Sequence, residues 1–233
     1  MLKTAKREQQ KAKIGVSSPS GFGKTFSSLL MAYGLVGDWN KVAIIDTEGS
    51  GNKYAGHKNL GPYQVFDLKT MNHKNQFSPQ SFCKAIDICI ESGIEVIVID
   101  SASHEWQWCL DFQNELGGKY HHWHKVTPLH NKFVEKIIDC KAHVIVCTRR
   151  KTDYLIDRDS RDKMQVSKVG TKPEMREGFE YELDLAFSLE NTHHATVEKD
   201  RTNLFVGKPP FVIDISTGEK IKKWAEGENV ECQ

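Results

Sequence analysis

No apolar run in this 233-residue chain approaches the ~20 residues that a membrane-crossing helix needs. The N-terminal residues 1–13 are basic and polar and lack the apolar stretch of a secretory signal. A cytoplasmic protein is therefore expected. An excess of either charge is also missing: 32 Lys and Arg stand against 31 Asp and Glu, for a net charge of +1. No global field draws the chain to nucleic acid or an anionic membrane, so any polyanion must meet a local patch. The six cysteines, Cys83, Cys89, Cys109, Cys140, Cys147 and Cys232, form no C-x-x-C pair, which removes the usual zinc and dithiol motifs. They read as buried free thiols of a reducing compartment. Internal repeats and low-complexity tracts are lacking as well.

What is present is alternation of strand and helix patterns. Residues 42–45, 96–99 and 143–147 are short β-branched runs without polar alternation, which fits strands buried on both faces. A further strand at 14–17 leads into a glycine-rich loop. Helical patterns at 25–33, 78–92 and 127–140 lie between the strands and imply parallel strands joined by crossovers. Past Asp184 the pattern changes to strands at 185–189 and 195–197 with a tight connection, which adds an antiparallel edge. Ser216-Thr217-Gly218-Glu219 has the form of a capping box and is expected to start a C-terminal helix through Trp224. The expected organisation is a basic arm (1–13), one α/β core (14–215) with a basic hairpin at 149–172, and a C-terminal helix and tail (216–233).

Ser18-Pro19-Ser20-Gly21-Phe22-Gly23-Lys24-Thr25 matches the phosphate-loop pattern G-x-x-x-x-G-K-[ST] between a strand and a helix. Gly21 and Gly23 let the backbone curl and aim N–H groups at phosphate oxygens. Lys24 reaches the β- and γ-phosphates of ATP, and Thr25 supplies a hydroxyl to Mg²⁺. Ser18 replaces the first glycine, at a position that begins the turn and does not touch phosphate. Two other strands end in acid. Asp100 closes the 96–99 run, where a carboxylate organises Mg²⁺. Asp46-Thr47-Glu48 closes the 42–45 run and places a carboxylate where hydrolytic water needs one.

With these elements the chain resembles the RecA-like ATPases, and that resemblance implies an α/β RecA-like P-loop NTPase with a mostly parallel central sheet flanked by helices. It implies Glu48 as general base, Asp46 in support and Lys24 as the catalytic cation. The residues expected at the nucleotide are Ser20, Gly21, Phe22, Gly23, Lys24, Thr25, Phe26 and Asp46. Lys199 and Arg201 resemble the Lys-x-Arg element that such proteins insert into a neighbour's ATP site, against the competing reading of a solvated turn. More closely, the chain resembles a group of phage-encoded RecA-like ATP-binding proteins, some of them single-strand annealing proteins. The matching stretches are residues 100–106, 123–128, 180–182 and 199–202. A homo-oligomeric ring or filament acting on single-stranded DNA in phage recombination or replication, in the host cytoplasm, is what this implies.

The segment 149–172 carries Arg149, Arg150, Lys151, Arg158, Arg161, Lys163, Lys168 and Lys172 against four aspartates. A basic hairpin of this kind grips phosphates without reading sequence, with a solvated surface hairpin as the alternative. His121, His122 and His124 beside Trp123 lack a well-spaced fourth ligand and read as a partly exposed aromatic cluster. His104-Glu105-Trp106 either lines the nucleotide site or begins a helix with Trp106 turned inward. Two other functions stay open: a nucleotide-controlled assembly module with little hydrolysis, and a P-loop small-molecule kinase. Asp46-Thr47-Glu48 argues against the kinase, which must keep activated water from the γ-phosphate.

Overall fold

Lys13–Ser18 (β1), Val42–Asp46 (β2) and Val96–Asp100 (β4) are buried along their whole length, and Gln64–Asp67 (β3) is a half-exposed edge strand between β2 and β4 in the chain. In the computed structural model, residues 9–71, 75–158 and 164–227 are described, without the side chains of 152–169. The remaining strands are His143–Arg158 (β5), Met164–Pro173 (β6), Leu185–Leu189 (β7), His194–Asp200 (β8) and Phe211–Val212 (β9). They form a nine-stranded sheet of order β3-β2-β4-β5-β1-β7-β8-β9, with β6 attached to β5. The pairs from β3 through β7 are parallel, and β7–β8, β8–β9 and β5–β6 are antiparallel. The expected α/β fold, a mostly parallel sheet with an antiparallel edge, is what the chain adopts.

Parallel strands need covering on both faces. The helices are Lys24–Val36 (α1), Pro79–Glu91 (α2), Ser103–Glu115 (α3), Trp123–Ile138 (α4) and Ile215–Ala225 (α5). One core holds Leu29, Met31 and Leu35 of α1 and Ile221 of α5 against Ile14, Val16, Ile44 and Val98. The other holds Phe82 and Ile86 of α2 and Phe133 and Ile137 of α4 against Ile45, Ile97, Ile99 and Val146. Alternate residues of one strand, such as Ile44 and Ile45, therefore serve opposite faces, as a period of two requires.

Three sequence expectations shift in detail. The C-terminal helix is capped by Asp214, whose carboxylate accepts from Thr217 N–H at 3.0 Å, and Ser216 instead donates its hydroxyl to that carboxylate at 2.7 Å. Gly218 lies inside α5 because α1 crosses there: a Cβ on Gly218 would meet Met31 O at 2.1 Å, and one on Gly34 would meet Ile215 O at 2.1 Å. The helix expected at 127–140 begins one turn earlier, at Trp123. Of the cysteines, the five described are free, and four of them are buried; Cys232 lies outside the described residues.

Lys13, expected in the basic arm, opens β1 and is buried, its Nζ donating to Cys140 O at 2.7 Å and Ala142 O at 2.8 Å. Beside it, His143 is 5% exposed and accepts the Ala12 N–H on Nδ1 at 3.1 Å. Burial, reinforced by Lys11, Lys13 and Lys222, pushes this imidazole down to about 3 from an ordinary 6.5. The folded chain thus resists a proton that the unfolded chain accepts. This stability is complete above about pH 6.5 and is lost as pH falls toward about 3, at about 1.4 kcal/mol per pH unit. Urea unfolding between about pH 4.5 and 7 should show this slope in the wild type and a flatter one in His143→Gln. Equal slopes would remove His143 as its source.

Candidate nucleotide site

Strand β1 ends at Ser18, and the chain turns through Gly21 (φ 82°) and Gly23 (φ 88°) into α1. Both glycines occupy the left-handed region that other residues avoid. Gly23 is also the N-cap of α1, which has neither a side-chain cap nor an acid in its first turn. The free N–H groups of that end therefore face the loop's concavity, the arrangement that holds phosphate. Lys24 is nearly buried, and its ammonium curls back over the loop to Ser18 O (3.3 Å) and Pro19 O (3.4 Å). These are long contacts to carbonyls, which a phosphate would replace with charge-assisted ones.

The acids come to this loop through register. Asp46 pairs with Asp100 between β2 and β4, Asp100 pairs with Cys147 between β4 and β5, and Ser18 pairs with Arg149 between β1 and β5. Asp100 is fully buried and accepts a short hydrogen bond from the Thr25 hydroxyl on Oδ2, while Oδ1 has no partner. Burial raises its carboxyl to about 6 in spite of the Thr25 hydroxyl. An unpartnered carboxylate oxygen next to a threonine hydroxyl is a hard, oxygen-only donor set, which suits Mg²⁺. Thr25 and Asp100 fit that ion.

Asp46 is 3% exposed, and its carboxylate accepts the N–H groups of Glu48 (2.9 Å), Gly49 (2.9 Å), Ser50 (3.3 Å) and Gly51 (2.7 Å). It does not line the cavity and acts by holding the loop that carries Glu48. Glu48 does line the cavity, and its Oε1 accepts from Arg149 Nε at 2.8 Å. Behind the pair, His104 Nδ1 lies 2.7 Å from the Thr47 hydroxyl and its ring stacks on Phe77 at 4.8 Å. Burial, with Arg149 adding, lowers the His104 imidazole below its ordinary value.

The cavity holds roughly 650 Å³. Ser20, Gly21, Gly23, Lys24, Thr25 and Phe26 line it; Phe22 does not, and gives its carbonyl to His193 Nδ1–H at 3.1 Å. The sequence reading missed the opposite wall, where Tyr54 and His57 pack on Phe26 (ring centroids 5.9 and 4.9 Å) and His193 and Ile213 come from the antiparallel edge. Only the aromatic spacing of 54 and 57 offered a signal. His193 lies 170 residues from Gly23 in the chain, and no local pattern marks it.

The basic segment divides. Arg149 is drawn to Glu48, and Arg150 donates to Ser17 Oγ (2.9 Å), Glu198 (2.7 Å) and Thr171, so both guanidiniums have partners within the chain. Lys151 is exposed. Arg161 and Lys163 lie outside the described residues, as do the side chains of Arg158 and Lys168. Lys199 donates to Glu180 O (2.7 Å) and Tyr181 O (2.6 Å), and Arg201 also donates to Tyr181 O (2.6 Å). Neither lines the nucleotide cavity of its own chain. His124 bonds to the His121 carbonyl. Among the described residues, the group whose ligand atoms converge is instead Glu105, Cys109 and His130, all buried. There the Glu105 carboxylate meets His130 Nδ1 at 3.1 Å and the Cys109 thiol at 3.3 Å, a polar link between α3 and α4.

A family of AAA domains matches residues 10–211, from just before β1 through the start of β9. The chain belongs to the AAA-domain family. No curated protein matches it with significance. An AAA domain is in general a nucleotide-binding P-loop ATPase module, which agrees with the loop, the cavity it lines and the buried Asp100 bonded to Thr25. No helix of the described residues is long and apolar enough to cross a membrane. In this AAA domain the buried Asp100 carboxylate costs stability while no cation meets it. Asp100→Asn should raise the stability of the ligand-free protein by about 1–3 kcal/mol and erase the dependence of nucleotide affinity on Mg²⁺. Calorimetric melting in chelator, with nucleotide titrations in chelator and in Mg²⁺, measures both; an affinity still enhanced by Mg²⁺ would remove Asp100 from the metal site.

Proposed function

We propose that this AAA domain binds Mg-ATP and hydrolyses it with Glu48 as general base, in a RecA-like cycle that acts on single-stranded DNA. The observation that carries the catalytic part is the convergence of Lys24 and Thr25 at the start of α1 with Asp100 at the end of β4 and Glu48 just past β2. Lys24 and the α1 N–H groups hold and neutralise the phosphates. Mg²⁺, when bound at Thr25 and Asp100, supplies charge neutralisation on the phosphate oxygens. The Glu48 carboxylate takes a proton from water as that water's oxygen bonds to the γ-phosphorus and the bond to the bridging oxygen breaks, giving ADP and phosphate. Asp46 fixes the Glu48 loop through its backbone. The resemblance to phage RecA-like proteins supports DNA recombination or replication as the setting, with Lys199 and Arg201 completing a neighbour's site.

One observation favours a slower variant of this reading. Arg149 holds Glu48 at 2.8 Å, and a carboxylate oxygen that accepts from a guanidinium is not free to take the proton of a water. A chain that keeps this pair in the ATP complex would bind nucleotide and assemble with little turnover.

Glu48→Gln should retain ATP affinity within a few-fold and lose roughly 10²–10⁴ in turnover, while Lys24→Ala should lose ATP affinity itself. Equilibrium binding of a fluorescent ATP analogue and phosphate release, with and without single-stranded DNA, separate the two. Turnover intact in Glu48→Gln would sink the assignment of the base. Arg149→Ala tests the slower variant: turnover that rises marks the pair as a brake, and turnover that falls marks Arg149 as part of the catalytic set.

A further inference from the structure

A second and larger concavity, of roughly 1010 Å³, lies away from the phosphate loop at the root of the β5–β6 hairpin. Its walls combine two kinds of side chain. Trp106 and Trp123 stack at 5.6 Å with 19° between their planes, from α3 and the start of α4. Tyr120, just before α4, is 90% exposed, and Tyr181, which also lines the groove, is 67% exposed. Large aromatic rings left in water along one groove gain nothing for the fold, and they offer flat faces to a partner.

The second kind is cationic. Lys151 and Lys172 occupy directly paired positions of the hairpin's two strands and line the groove together. Arg176 and Lys199 also line the groove, and Lys199 Nζ stands 6.0 Å from the Tyr181 ring centroid. Lys199 and Arg201 together hold the Tyr181 carbonyl, which fixes the segment that presents this ring. Carboxylates are present too, but Glu198 is neutralised by Arg150 at 2.7 Å. Glu177 and Glu180 also line the groove.

We propose that this groove is a single-stranded DNA binding site, in which Tyr120 and Tyr181 stack on bases and Lys151 and Lys172 hold the backbone phosphates. The proposal rests on the single-stranded DNA reading above and assigns it a surface. Rings that stack on any base face, set in a cationic groove, give affinity without sequence choice. The DNA would then run along the hairpin root, adjacent to the strand that carries Arg149 to Glu48.

The test is fluorescence anisotropy of the full chain with a labelled oligo-dT strand and an ATP analogue, at low and moderate salt. Tyr120→Ala with Tyr181→Ala should weaken binding roughly 10- to 100-fold, while Tyr120→Phe with Tyr181→Phe should stay within about twofold because stacking uses the ring. Lys151→Ala with Lys172→Ala should lower the slope of log affinity on log salt by about one to two. Circular dichroism checks that each variant folds. A wild type with no affinity for the strand overturns this groove and the DNA reading together. Wild-type affinity in the double alanine variant, lost instead in Arg161→Glu with Lys163→Glu, overturns the groove alone. Sedimentation that shows the tyrosine substitutions dissolving a DNA-free oligomer, with DNA affinity retained, makes the groove a subunit interface and overturns the proposal.

Discussion

The structure depends on the parallel register of β1, β5, β4 and β2. Because Asp100 is level with both Cys147 and Asp46, and Ser18 with Arg149 two residues further on, the hydrophobic stretches of four strands end within two residues of one another at the same end of the sheet. Polar groups can leave the core only there, where the strands' flanking helices no longer cover them. A ligand site outside the carboxyl ends of parallel strands follows from that geometry. A slip of one residue in any of these strands would turn its buried set to the other face, and it would also move an acid away from the phosphate loop.

The polar groups at this edge are arranged in two ways that differ in energy. Asp46 is saturated: four backbone N–H groups close on its carboxylate, so it stabilises the fold and steadies the following loop. Asp100 is buried with one oxygen unpartnered, a cost the fold tolerates at a site where a cation is to arrive. Two strand-terminal aspartates of the same sequence appearance thus have opposite thermodynamic signs. The Glu105–Cys109–His130 group resembles the first case. Its mutual hydrogen bonds tie α3 to α4 beneath Trp106, and so fix the aromatic wall of the second groove.

Strand β5 joins the two cavities. Its first half is central in the sheet, and its second half leaves the sheet to pair with β6 alone. At the point of departure Arg149 turns to Glu48, Arg150 turns to Glu198 on β8, and Lys151 faces the groove. Three consecutive basic residues therefore have three different surroundings. A displacement of the hairpin root would act on the Glu48 pair through one continuous strand, which is a short and stiff path compared with a loop.

Much was legible in the sequence wherever the signal was local. The phosphate loop, the three central strands, the acids at their ends and the antiparallel edge were all readable, because hydrophobic period and strand-to-helix punctuation act over a few residues. The half-buried edge strand β3 gave too short a pattern to stand out, and Asp214 took the cap expected of Ser216 through its own box with Thr217. The rest lay in contacts between distant parts of the chain. That Arg149 pairs with Glu48, that His193 packs on the phosphate loop, and that Tyr120 and Tyr181 line one groove with Lys151 and Lys172 were decided by strand order and helix packing. By itself the sequence determined the elements and the phosphate chemistry, since backbone preference and burial are local. Which side chains share each cavity was decided by tertiary structure, since charge pairing and stacking depend on distance in space.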